Sequence, residues 1–131
     1  MNTKRLMVIL ALTVLQTSSF AADEHALTTL VKVGEEAPDF ACKTVGGEDF
    51  SLSKEKGKVV VINFFATWCS DCVVEMPHLE KQVFQKYKDR KDFRLIAIGR
   101  EHEAPELVRF AKTRGLSLPM APDPKLEIYG K

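Results

Sequence analysis

Seven consecutive residues, Val59-Val60-Val61-Ile62-Asn63-Phe64-Phe65, constrain the fold more than any other stretch of the chain. All but Asn63 are β-branched aliphatic or aromatic, which is the composition of a strand. The run is apolar on both faces. It therefore predicts cover on both faces, as in a parallel sheet with helices on each side. The pattern then changes period. From Cys69 to Lys88, Cys72, Met76, Leu79, Val83 and Tyr87 share one helical stripe, while Glu75, Lys81, Gln82, Gln85, Lys86 and Lys88 border the wet side. Pro77 falls inside that helix and predicts a kink, because it has no N–H for the carbonyl one turn back.

The same alternation continues along the chain. Phe93–Gly99 reads as a second apolar strand and Pro105–Thr113 as a second helix closed by Gly115. Leu118–Met120 reads as a short third strand. Pro122-Asp123-Pro124 reads as a turn and Lys125–Tyr129 as the start of another helix. Ahead of the first long strand, Asp39–Thr44 and Glu48–Leu52 flank Gly46-Gly47, a hairpin signal. Strands alternating with helices imply an α/β fold with a parallel sheet.

The N-terminus has a different character. Lys4 and Arg5 precede Leu6–Leu15, in which only Thr13 is polar. Ser19-Phe20-Ala21 then offers a small-x-small cleavage site. The apolar run is well short of the about 20 residues that span a bilayer. Residues 1–21 are thus expected to be a cleaved signal peptide, 22–33 a leader, and 34–131 the folded domain. Export to the periplasm or another extracytoplasmic space is the expected location. Disulfides persist there, so a cysteine pair among the three reads as structural or redox-active. With 19 basic and 18 acidic residues, nothing electrostatic points to nucleic acid.

The chemistry concentrates at the first strand-to-helix corner, Trp68-Cys69-Ser70-Asp71-Cys72. Two cysteines three apart on a starting helix share a face and can close a small disulfide ring. Cys69 falls at the helix N-terminus, where free N–H groups and the dipole favour a thiolate. That makes Cys69 the nucleophile and Cys72, one turn in, the resolving thiol. Asp71 opposes the dipole and tempers this effect. A metal site is not expected: the pair supplies two ligands where a closed zinc site needs four. His78 and His102 fit no ligand spacing. Cys42, in the first hairpin strand, reads as a buried small hydrophobe. No cofactor is expected.

These residues resemble the thioredoxin superfamily, in particular its exported TlpA/ResA-type disulfide reductases. The resemblance rests on Gly34-x-x-Ala37-Pro38-Asp39-Phe40, on Val61 through Cys69-x-x-Cys72, and on Glu75-Met76-Pro77. It implies a thioredoxin-like three-layer α/β fold with an N-terminal β-hairpin and central parallel strands. It implies exchange of disulfides with protein clients, apocytochrome c among them, and a membrane electron donor. It gives Glu75 a role in tuning the cysteine pKa values and moving protons, as a partly buried carboxylate beside a thiolate. Asn63 holds the strand position where thioredoxin places a buried acid. Trp68, serving packing or docking, would face the client together with Ser70 and Asp71. Such folds continue with a cis-Pro loop, a strand pair and a helix. After Leu118-Pro119 no strand pair is legible, so the chain is expected to lack the C-terminal hairpin and helix, with Pro119 an ordinary strand-edge proline. Two other readings stand beside this one. One is a non-catalytic thioredoxin-like binding domain. The other is a peroxiredoxin, which shares Ala37-Pro38-Asp39-Phe40 but carries its cysteine in a Pro-x-x-x-Thr-x-x-Cys run, whereas Thr67 precedes Cys69 by only two positions.

Overall fold

The computed structural model describes residues 31–131. The expected signal peptide, and the leader up to residue 30, lie outside the described residues. The elements all fall within the unit Glu35–Lys131. A hairpin opens it: β1 (Ala41–Lys43) pairs antiparallel with β2 (Asp49–Ser51), Cys42 opposite Phe50. Gly47 turns this hairpin at φ +88, a conformation that a side chain would strain. A short 3-10 turn, Leu52–Glu55, leads to β3 (Val59–Phe65). Helix α1 (Ser70–His78) runs into a π-helical segment, Leu79–Phe84, and a last turn α2 (Gln85–Tyr87). Then come β4 (Phe93–Arg100), α3 (Ala104–Arg114) and β5 (Met120–Asp123).

The three longer strands form one parallel sheet in the order β3-β4-β5, with Val61 opposite Leu95 and Ile98 opposite Ala121. The expected third strand is therefore real but displaced: it spans Met120–Asp123 and includes Pro122 and Asp123, which the sequence assigns to a turn. Its outer edge tolerates Pro122, which has no N–H to give a ladder. Nearby, the Val45 N–H at the hairpin tip donates to the Met120 carbonyl at 2.8 Å. The expected helix start at Lys125 is instead a set of turns. The buried Asp123 carboxylate holds them by accepting from the N–H groups of Glu127, Ile128 and Tyr129.

The expectation of helices on both faces needs correcting. Phe65, Leu95, Ala97 and Met120 face one way and pack with Met76, Leu107 and Phe110, so α1 and α3 share a face. Ile96, Ile98 and Ala121 face the other way and are covered by Phe40, Cys42, Phe50, Leu52 and Ile128. The second cover is thus the hairpin and the C-terminal turns, giving three layers: hairpin, sheet, helices. It is β4 that is buried on both faces, while β3 is an edge among the described residues, with Val59 64% and Phe64 38% exposed. Composition alone does not separate these two strands. Where β4 packs on α3, a Cβ on Gly99 would meet Leu107 Cδ2 at 2.5 Å, so a larger residue there forces Leu107 to shift.

Helix α3 is locally well specified. Glu103 and Glu106 form a reciprocal capping box at its start, Pro105 sits in the first turn, and Gly115 ends it at φ +63. The kink expected at Pro77 takes the form of a change of ladder. Leu79 N–H still reaches Glu75, but Gln85 N–H reaches back five residues to Glu80. That wider spacing changes which residues face the core.

Candidate active site

Phe65, the last residue of β3, and Ala66 just past it are buried and fix where the chain must turn. The Ala66 carbonyl accepts the Cys69 N–H at 3.1 Å, closing a tight turn over Thr67 and Trp68. Cys69 then caps α1. Its backbone is extended (φ −84, ψ 110), its carbonyl accepts from Val73 N–H, and its Sγ accepts the Cys72 N–H at 3.3 Å. A cap position normally held by a serine or aspartate oxygen is filled here by sulfur. Cys69 and Cys72 are joined as a disulfide with Cα atoms 5.3 Å apart. On reduction the same N–H and the α1 dipole would favour a Cys69 thiolate. Cys72 lies deeper, packed against the cluster that contains Met76 and Phe65. The arrangement offers one sulfur at a helix terminus and keeps the second against the core.

The surroundings are open and mix apolar with polar side chains. Trp68 is 65% exposed, and Ser70, Asp71 and Val74 are exposed beside it. His78 is exposed on the last turn of α1. Glu75 is exposed too, which corrects the expectation of a partly buried carboxylate. The reason is helical phase: the next residue, Met76, takes the buried position. One Glu75 oxygen lies 3.5 Å from Asn63 Nδ2, while the buried Asn63 Oδ1 has no hydrogen-bond partner among the described residues.

Cys42 stands apart from the pair. It is half-buried against the Ile96–Ile98 cluster. Burial, and secondarily the Asp123 carboxylate, push its thiol above the ordinary range. Among the described residues no group of three or more His, Cys, Asp or Glu could hold a metal ion.

Two buried polar residues escaped the sequence reasoning. Glu80 accepts from Ser117 N–H (2.9 Å), Ser117 hydroxyl (2.6 Å), Leu118 N–H (2.8 Å) and Gln85 Nε2 (2.6 Å). It pins the π-helical segment to the loop before β5. Burial pushes its carboxyl up, but these hydrogen bonds together outweigh that and hold it below the usual range. His102 is buried behind the corner, its Nε2 at 2.9 Å from the Thr67 backbone nitrogen. A buried histidine reveals itself only through its partner, and here the partner is a backbone N–H 35 residues away.

Comparison with known proteins agrees with this architecture. Residues 33–131 match the AhpC/TSA family. The chain is 40% identical over 96 residues to the thioredoxin-like protein YneN of Bacillus subtilis, covering 72% of this chain and 56% of that one. It is 32% identical over 124 residues to the thiol-disulfide oxidoreductase ResA of Halalkalibacterium halodurans, covering 95% and 69%. Among solved structures, a candidate protein disulfide isomerase from Bacteroides thetaiotaomicron superposes with TM-score 0.74 at 40% identity, over 77% of this chain and 64% of that one. A candidate thiol:disulfide interchange protein DsbE from Chlorobium tepidum gives TM-score 0.65 at 31% identity, over 76% and 71%. The chain spans a little over half of YneN and about two-thirds of the other three. It carries a thioredoxin-like fold and belongs to the AhpC/TSA family, where it is similar to proteins named thiol-disulfide oxidoreductases.

Proposed function

We propose that the chain is an exported thiol–disulfide oxidoreductase that reduces disulfides of protein clients. One observation carries the reading: Cys69 is the cap of α1, its sulfur bonded both to Cys72 and to the Cys72 N–H. In the reduced protein the Cys69 thiolate attacks one sulfur of a client disulfide. A mixed disulfide forms and the client's other sulfur leaves as a thiolate, taking up a proton. Cys72 then loses its proton and attacks Cys69 Sγ. The second client thiol is released and the Cys69–Cys72 disulfide closes, two electrons having passed to the client. A membrane-held dithiol donor restores the pair.

Glu75, one turn beyond Cys72, is the proton acceptor in this scheme. Trp68, Ser70 and Asp71 form the client-facing surface; their exposure beside Cys69 supports this. Apocytochrome c is the client class to which the ResA-type resemblance points. Residues 1–21 act as the signal peptide and 22–33 as the leader, supported by the basic, apolar and small-residue order of that segment. A peroxidase reading gains nothing from the corner, where β3 carries no proline ahead of Cys69. The test is catalysed reduction of a protein disulfide such as insulin's by the full chain with dithiothreitol. Acceleration by the parent and none by Cys69→Ser is expected. Equal turnover in that variant refutes the assignment.

A further inference from the structure

Beneath the exposed corner lies a buried polar contact that disulfide exchange does not itself require. Glu101, just past β4, sits at φ +59, an uncommon conformation for a residue with a side chain. The next residue, His102, is only 4% exposed. Its Nε2 lies 2.9 Å from Thr67 N and 3.2 Å from Thr67 Oγ1. On the other side of the ring, the buried Nδ1 is 3.5 Å from a Glu106 carboxylate oxygen but makes no hydrogen bond among the described residues. Glu106 is itself held by the Glu103 N–H at 2.9 Å in the capping box of α3. The Glu103 N–H first, and His102 after it, hold the Glu106 carboxyl below its usual range against the opposing effect of burial.

The chemistry of these contacts selects one form of the ring. A backbone N–H can only donate, so Nε2 must carry the lone pair. The ring proton then sits on Nδ1, facing the Glu106 carboxylate. Thr67 is the residue that the Ala66–Cys69 turn folds around, two positions before the nucleophile. That turn sets where the Cys69 sulfur sits over the Cys72 N–H. We infer that His102, as the neutral Nδ1–H tautomer, is a positioning residue for Cys69: it anchors the Thr67 N–H and thereby the turn that presents the sulfur to the start of α1. Without this acceptor the Thr67 N–H must find another partner, and the turn shifts to reach one. The inference rests on the exchange reading only in taking Cys69 as the reactive thiol.

The test uses the full chain, reduced and freed of reductant, and has two parts. Ring nitrogen NMR of the parent, with the His102 signals assigned by their loss in His102→Gln, should show the Nδ1–H tautomer. Residue-resolved alkylation by iodoacetamide across pH should then show Cys69 in His102→Leu about fivefold or more slower near pH 7, as expected for loss of one hydrogen bond. Its pH profile should shift upward. His102→Gln, whose amide oxygen can still accept from Thr67, should restore most of the parental profile. A folded His102→Leu with the parental Cys69 profile overturns the inference, and so does an Nε2–H tautomer in the parent. If His102→Leu does not fold, the parental tautomer and the His102→Gln profile decide it: Nδ1–H with a near-parental profile supports the inference, and any other tautomer overturns it. Alkylation needs no client. Failure of insulin reduction with this contrast intact therefore strikes the proposed function alone, while loss of the contrast with turnover intact strikes this inference alone.

Discussion

In Glu80→Ala, four donors lose their acceptor at once. They do not weigh equally. Leu118 is 4% exposed, so its N–H is left buried and unpaired, at a cost of about 1–3 kcal/mol. Ser117 and Gln85 are exposed residues, and water replaces the carboxylate there. Each of their hydrogen bonds then forfeits only its net worth, about 0.5–1.5 kcal/mol. Because these terms overlap at a single carboxylate, a total of about 3 kcal/mol is the reasoned expectation. For a folded unit of this size each kcal/mol moves Tm by about 4–8 °C, so a drop of about 15 °C should appear in thermal unfolding of the oxidised full chain. Glu80→Gln keeps one acceptor oxygen and should fall between. A pH series adds a sign. The folded carboxyl lies below its unfolded value, so its contribution is complete above the ordinary carboxylate range. It is lost as pH falls through the lowered folded value. Glu80→Gln should lack that acid-dependent loss. A Glu80→Ala chain melting within about 3 °C of the parent would refute the claim that this carboxylate locks the helix to the β5 loop.

Other changes probe other joints. Gly99→Ala places a methyl against the fully buried Leu107 and should cost about 1–3 kcal/mol in urea unfolding; a neutral result would show that α3 can move off β4. Glu75→Gln should slow deprotonation of Cys72 and shift the pH dependence of insulin reduction; an unchanged profile removes Glu75 from the proton path. Cys42→Ala should leave insulin reduction within about twofold, because the Cys42 thiol is held protonated by burial, away from the Cys69–Cys72 pair; loss of turnover would make it a third redox thiol.

What the sequence conveys well is local. The β3 run, the turn at Gly46-Gly47, the capping of α3 and the Cys69–Cys72 spacing all involve residues near one another in the chain, and each forms where its pattern says. The displaced β5 shows where that stops. Pro122 argues against a strand until an outer sheet edge accommodates it, and Asp123 reads as a turn residue until three N–H groups converge on it. The placing of both helices on one face follows from how β4 divides its apolar residues between two clusters, not from any single segment. Away from the cysteine pair, Glu80 is hidden twice. The π-helical register after Pro77 turns it inward, and its partners Ser117 and Leu118 are more than 35 positions away. His102 fits no ligand spacing, and side-chain spacing is what a sequence displays. Its partner is a backbone N–H, which every residue but proline has. Glu75 differs in burial alone: a partly buried carboxylate is expected, whereas helical phase leaves it exposed and gives the core to Met76.

In the proposed mechanism the cap of α1 makes Cys69 the thiolate of the pair. The most direct measurement is residue-resolved alkylation of the fully reduced parent chain as a function of pH. Cys69 should react first, with an apparent pKa below the about 8.5 of a free thiol, while Cys72 and Cys42 react only at higher pH. Cys72 or Cys42 reacting ahead of Cys69, or Cys69 titrating like a free thiol, would contradict the account.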